Sequence, residues 1–184
     1  MPGSDSANKE QSIHWINEAK PKRILDIGAG MGTYGSLLRQ YATYQIETIH
    51  CLEIFQPNIT HYKLHELYNW IWNTDVREWD NFDYDLVIFG DVLEHMTKEE
   101  ALVVWEKCSK QAKSALIAIP IIKSVQHDHE QYYDEYDAVL INKHEDNIKD
   151  DWSTEEVLES FSHITKHVPF HYTGIFWAEF NASR

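Results

Sequence analysis

The sequence predicts an α/β fold, a doubly wound, mostly parallel seven-stranded sheet with helices on both faces and a C-terminal antiparallel strand pair. Three observations carry this. Short apolar runs alternate with stretches of helical period along most of the chain. The run Leu86-Val87-Ile88-Phe89 is continuously apolar, which suits a strand covered on both faces. The segment Ile24-Leu25-Asp26-Ile27 runs straight into the alternating glycines Gly28, Gly30 and Gly32, a strand-to-helix junction in which the backbone can turn tightly beneath a ligand.

Residues 8–19 place Ile13, Ile16 and Ala19 on one helical face, with Asn8 and Gln11 at capping-box spacing, and make residues 1–20 an N-terminal helical lead. Pro21 separates that helix from a strand over 23–27. A helix over 32–42 carries Leu37, Leu38 and Tyr41, and Ile46–Glu53 reads as a strand. Residues 57–67 are ambiguous between loop and short helix. Trp70-Ile71-Trp72 is a strand ending near Asp75, followed by the strand Tyr84–Phe89. Thr97 and Glu100 form a capping box that opens a helix to about Ala112, with Ala101, Leu102, Val104, Trp105 and Cys108 as its stripe. Ala115–Ile119 is a buried strand stopped by Pro120. Ser153 and Glu156 open a last helix with Val157, Leu158 and Phe161, and His163–Val168 with Tyr172–Phe180 form the antiparallel pair.

With 184 residues and 43% apolar composition, the chain fits a single domain over 1–184. Its net charge of −14 repels phosphate backbones and argues against nucleic acid as a partner. Cys51 and Cys108 have neither metal-type spacing nor a disulfide framework. The polar N-terminus lacks the apolar segment of a signal peptide and no run approaches a membrane span, so a cytoplasmic protein with no membrane association is expected.

Ligands of open α/β sheets bind beyond the carboxyl ends of the strands. At those ends this chain places the glycine turn, Glu53, Asp75 and Asp91. A carboxylate is an acceptor-only group, which suits Glu53 to ribose hydroxyls and Asp75 to an adenine amine. The spacing is G-x-G-x-G; the dinucleotide fingerprint G-x-G-x-x-G would put glycine at position 33, which is Thr33. With no arginine or lysine in the turn for a pyrophosphate, the expected ligand is a nucleoside without phosphates. The alternatives to binding are a bare strand–helix turn at the glycines, strand-end or turn-forming acids at Glu53 and Asp75, and a helix cap at Asp91.

These residues resemble the class I, seven-stranded, Rossmann-like S-adenosylmethionine-dependent methyltransferases. Leu25-Asp26-Ile27-Gly28-Ala29-Gly30-Met31-Gly32 is similar to the family's first motif. Glu53 matches its ribose-binding acid, Asp75-Val76 its adenine-side motif, and Asp91-Val92-Leu93-Glu94-His95 the motif after its fourth strand. The likeness spans about residues 20–120, and the tail fits the family's last helix and reversed hairpin. The resemblance implies S-adenosyl-L-methionine as cofactor and S-adenosyl-L-homocysteine as product. It implies that Asp26 supports the glycine turn and approaches the methionine amino group, that Gly28 and Gly30 let the backbone close on the cofactor, and that Glu53, Asp75 and Val76 hold its nucleoside. Asp91 would stand beside the methionine part.

Methyl transfer from a sulfonium is an in-line displacement in which alignment does most of the work, and a hydroxyl or amine acceptor can also need a base. The segment 121–152 is a long connection of the kind that forms a lid or an acceptor loop, with a plain polar loop as the alternative. It holds His127 and His129, the leading base candidates, with His95 as a third whose other reading is structural. His127-Asp128-His129-Glu130 lacks the i, i+4 histidine pair of strong metal sites, so no metal is expected. There is no Asn/Asp-Pro-Pro-Tyr after the fourth strand and no Pro-Cys pair, so a small molecule, or the end of a glycan or peptide, is the expected acceptor. The rival readings are a non-catalytic interaction module that keeps this fold and a nicotinamide-dependent oxidoreductase.

Overall fold

The structure is a computed structural model that describes residues 9–121, 151–170 and 172–180. Strands β1 (Arg23–Ile27), β2 (Thr48–Leu52), β3 (Trp70–Trp72), β4 (Leu86–Gly90), β5 (Ser114–Pro120), β6 (Ile164–Pro169) and β7 (Thr173–Glu179) form one sheet in the order β3-β2-β1-β4-β5-β7-β6. The first five are parallel, and β7 runs antiparallel to both β5 and β6. The order reverses between β1 and β4, which opens a crevice beyond their carboxyl ends.

Both faces of this sheet are covered, as the apolar run of β4 requires. Leu86 and Ile88 face one way with Ile24, Ile49 and Leu116, beneath α1 (Lys9–Ala19), α2 (Thr33–Tyr41) and α3 (Gln56–His61). Val87 and Phe89 face the other way with Leu25 and Ile27, beneath α4 (Lys98–Ser109) and α5 (Thr154–Ser160). Both helices of that second layer start on capping boxes, Thr97 with Glu100 and Ser153 with Glu156, each bonded in both directions. Trp105 packs edge-on to Phe161 and Phe180 there, and buried Trp152 adds to the same cluster.

Several burial expectations are corrected. On α1, Ile13 and Ile16 are buried but Ala19 is exposed at the helix end, and Trp15 takes its share of the core. On α2 the inward face is Tyr34, Gly35 and Leu38, while Tyr41 is 57% exposed because the helix ends at that residue. On α4 the stripe Ala101, Val104, Trp105 and Cys108 returns at i+3, i+4 and i+7 and leaves Leu102 partly exposed; Leu158 of α5 is likewise off the buried face. Residues 57–67 hold α3 and a 3-10 turn, Leu64–Glu66. Asn8, His127, His129 and nearly all of 121–152 lie outside the described residues.

Gly35 in α2 donates its N–H to the Tyr68 hydroxyl at 3.1 Å. A Cβ there would meet Tyr68 Cζ at 2.6 Å, and Tyr68 is itself buried. Glycine-to-alanine exchange inside a helix ordinarily stabilises by about 0.5–1 kcal/mol. Gly35→Ala is expected to do the reverse and destabilise by about 1–3 kcal/mol through overpacking, read as a lower midpoint of thermal unfolding. A raised midpoint contradicts this packing.

Candidate cofactor site

Three glycines with positive φ make the turn after β1: Gly28 at 66°, Gly30 at 53° and Gly32 at 81°. At Gly28 the requirement is double, because a Cβ there would lie 2.6 Å from Val92 Cγ2. The side chain of the segment after β4 thus fills the space that Gly28 leaves. This contact ties the end of β1 to the segment after β4.

The ends of β1 and β2 are tied by Glu53. Its Oε2 accepts the Gly30 N–H at 2.7 Å and its Oε1 accepts the Phe55 N–H at 2.8 Å. Gly28 and Ala29 donate to the Leu52 carbonyl, and the Asn73 amide donates to the Glu53 and Ile54 carbonyls. Glu53 is buried and turned toward the glycine turn, at the end of β2 where a ribose acid is expected.

Asp26 is 2% exposed near the carboxyl end of β1. The bond to the glycine turn comes from Glu53 rather than from Asp26, whose Oδ2 accepts the Tyr68 hydroxyl at 2.5 Å. Tyr68 therefore relays between Asp26 and the Gly35 N–H, and so reaches α2. Burial pushes the Asp26 carboxyl up to about 7, against the Tyr68 hydrogen bond and the Lys9 charge, with Glu53 adding to the rise.

Asp75 is held by its near neighbour Arg77. It accepts the Arg77 N–H at 2.9 Å and pairs with the Arg77 guanidinium, which also reaches Glu100 Oε1 at 2.9 Å. Val76 beside it is buried. Asp75 caps the 3-10 turn Val76–Glu78.

Asp91 adopts φ 57°, a left-handed conformation rare outside glycine and found in strained functional turns. Its N–H donates to the Ala118 carbonyl, and Lys9 Nζ lies 3.8 Å from its Oδ2. The helix cap that follows is Thr97, not Asp91. Glu94 is buried; desolvation, and then the Asp91 charge, push its carboxyl well up, while Lys9 opposes them. His95 Nε2 is 4.0 Å from Glu94 Oε1.

The site thus joins Asp26, Gly28, Gly30, Glu53 and Asp91 at the ends of β1, β2 and β4, with Asp75 and Val76 beyond β3. Sequence reasoning passed over Lys9, Tyr34 and Tyr68. Glu94 carried a signal, as part of the motif after β4; Lys9, in a polar segment before the first strand, carried none. Among the described residues no group of three or more His, Cys, Asp or Glu is arranged to hold a metal, and no helix is long and apolar enough to cross a membrane.

No family profile and no curated protein matches this sequence. Solved structures do. An S-adenosylmethionine-dependent methyltransferase from Clostridium acetobutylicum ATCC 824 aligns with a TM-score of 0.66 at 11% identity, covering 93% of this chain and 89% of that one. Magnesium protoporphyrin IX methyltransferase (ChlM) from Synechocystis PCC 6803 with bound SAH gives 0.65 at 14% identity, covering 92% and 80%. The N-terminal domain of EvdMO1 with SAH bound gives 0.64 at 13% identity, covering 96% and 82%. Likeness at such identity speaks to architecture, and with the reversed β7 and the sheet order it establishes that this chain has the class I S-adenosylmethionine-dependent methyltransferase fold.

Proposed function

We propose that the protein binds S-adenosyl-L-methionine and transfers its methyl group to an oxygen or nitrogen of a small-molecule acceptor, or of a glycan or peptide end. The observation that carries the reading is the tie between Gly30 N–H and the Glu53 carboxylate, which brings a glycine turn and a buried acid together at the reversal of the sheet. The fold's neighbours include two with bound SAH.

The residues fit the cofactor. Glu94 Oε2 is buried and, among the described residues, has no hydrogen-bond partner, a cost that a cationic tail nearby would offset. A carboxylate has about four acceptor sites, so Glu53 can take ribose hydroxyls alongside two backbone N–H groups. Asp75 and Val76 line the adenine side, with Arg77 fixing the Asp75 carboxylate in place. Asp26 and Asp91 stand where the methionine ammonium is attracted.

The bound cofactor supplies a methyl carbon on a positively charged sulfur: an acceptor lone pair forms the new C–O or C–N bond, the C–S bond breaks, and its electrons neutralise the sulfur. What the chain adds is alignment and charge. The acceptor's proton is assigned to His127 or His129, with His95 as the third candidate. The net charge of −14 favours acceptors other than nucleic acid.

Isothermal titration with S-adenosylhomocysteine is expected to show binding that Glu53→Gln weakens about tenfold or more, a loss typical of a charged hydrogen bond. Equal affinities contradict the ribose role. Methyl-transfer assays across small hydroxyl and amine acceptors test activity; binding without turnover on any acceptor supports the interaction-module alternative. Replacing His127 and His129 together by alanine is expected to abolish turnover of a hydroxyl acceptor, and full turnover removes the base assignment.

Binding also depends on pH. Asp26 faces Tyr68, Lys9 and Glu53, and its ionised form attracts the cofactor ammonium. Affinity is therefore expected to rise between about pH 6 and pH 8 as Asp26 loses its proton. Tyr68→Phe removes the hydrogen bond that favours the ionised form, so the rise moves to higher pH. Titrations at several pH values check this, and a profile that Tyr68→Phe leaves in place contradicts it.

A further inference from the structure

β3 is an edge strand of the sheet. With one residue on either side it reads Asn69-Trp70-Ile71-Trp72-Asn73, the same sequence in both directions. The segment carries no charge, in a chain whose net charge is −14. Trp70 is 59% exposed, a large apolar ring turned to water. Trp72 is a firmer platform. Its ring packs against Trp79 at 4.8 Å between centroids and edge-on to His50 at 5.3 Å, and Trp70 lies 6.3 Å from it. An edge strand offers its outer backbone groups to any passing strand, and proteins ordinarily blunt it. The opposite edge of this sheet is blunted: β6 carries Lys166, ends on Pro169 and breaks register between Ile164 and Lys166. β3 is short, but it has no charge, proline or register break.

The backbone of β3 is oriented for pairing. The Trp72 carbonyl accepts the Glu53 N–H on the side of β2. Backbone groups alternate from side to side along a strand, so the Ile71 N–H and C=O point away from β2, where the described residues place no strand. Two copies of a strand can meet antiparallel about a two-fold axis through one residue, each giving and taking a hydrogen bond there. With the axis at Ile71, the Ile71 N–H of each copy donates to the Ile71 carbonyl of the other. Trp70 then faces Trp72 of the second copy, and Asn69 faces Asn73. Because the segment is palindromic, each residue meets its own kind. No like charges come face to face, which decides where two strongly acidic molecules can approach. The exposed Trp70 ring gains a cross-strand aromatic partner.

We propose that the Asn69–Asn73 edge joins two copies of this chain into a symmetric antiparallel dimer, in which one sheet runs on into the other.

Sedimentation velocity over a concentration series reads the dimer. A contact one short strand wide is at the small end of interfaces, so the wild type is expected to be largely dimer at about 100 μM and largely monomer at about 1 μM. Trp70→Glu sets a new acid beside the second copy. It is expected to stay monomeric throughout and to keep the wild-type midpoint of thermal unfolding at the lower concentration. Disulfide capture reads the register. Antiparallel partners that exchange hydrogen bonds have Cα atoms about 5.5 Å apart, within reach of a disulfide, whereas the two Trp70 positions are offset along the strands and lie beyond it. Under mild oxidation Ile71→Cys is therefore expected to give a covalent dimer, and Trp70→Cys at least about tenfold less. The native Cys51 and Cys108 are buried and give none. A wild type that is monomeric at about 100 μM overturns the proposal and leaves the edge to a foreign strand. Dimerisation that Trp70→Glu leaves intact also overturns it, by placing the contact elsewhere. So does equal capture by the two cysteine variants, which decide the matter alone if Trp70→Glu does not fold.

Discussion

Asp26, Glu53 and Glu94 are buried together at the carboxyl end of the parallel sheet, with Asp91 beside them, and the surrounding structure is arranged to make that tolerable. Removing a carboxylate from water costs several kcal/mol unless hydrogen bonds or an opposite charge compensate. The acids are compensated to different degrees. Glu53 takes two backbone N–H groups, from Gly30 and Phe55. Asp26 takes the Tyr68 hydroxyl and stays near neutrality in its titration. Asp91 lies 3.8 Å from the Lys9 ammonium, whereas Glu94, pushed up by desolvation and by the Asp91 charge, is the acid left least compensated. Such a concentration of desolvated acids is what a cationic, hydroxyl-rich ligand can use, and it is a poor choice for a structural core.

The same arrangement explains why the turn needs glycine. Val92 occupies the space beside Gly28 and so fastens the turn to the segment bearing Asp91 and Glu94. The Glu53 bond fastens it to β2. The turn is held from two sides before any ligand arrives, so little ordering is left to oppose binding. Tyr68 extends this bracing to α2 through Gly35.

What could be read from the sequence was local or periodic. The strand–glycine junction at 24–32, the capping boxes at Thr97 and Ser153, and the doubly covered run Leu86–Phe89 each announce themselves within a few residues, and the structure has them where expected. The strand-end positions of Glu53, Asp75 and Asp91 follow from the same alternation. The partners of those acids were not legible. Tyr68 lies 42 positions from Asp26, and Lys9 meets Asp91 across a still longer stretch of chain. Arg77, two residues from Asp75, was within reach of local reasoning, but an i, i+2 pair has no regular element to bring it together, and only the 3-10 turn does so. Burial at helix ends, as for Ala19 and Tyr41, is not set by the helical period alone.

The most direct test of the account is a crystal structure of the protein with S-adenosylhomocysteine. The account predicts the ribose hydroxyls on the Glu53 carboxylate, the adenine beside Asp75 and Val76, and the homocysteine tail with its ammonium toward Asp26 and Asp91. A ligand bound away from the glycine turn, or a Glu53 that touches only backbone, would contradict it.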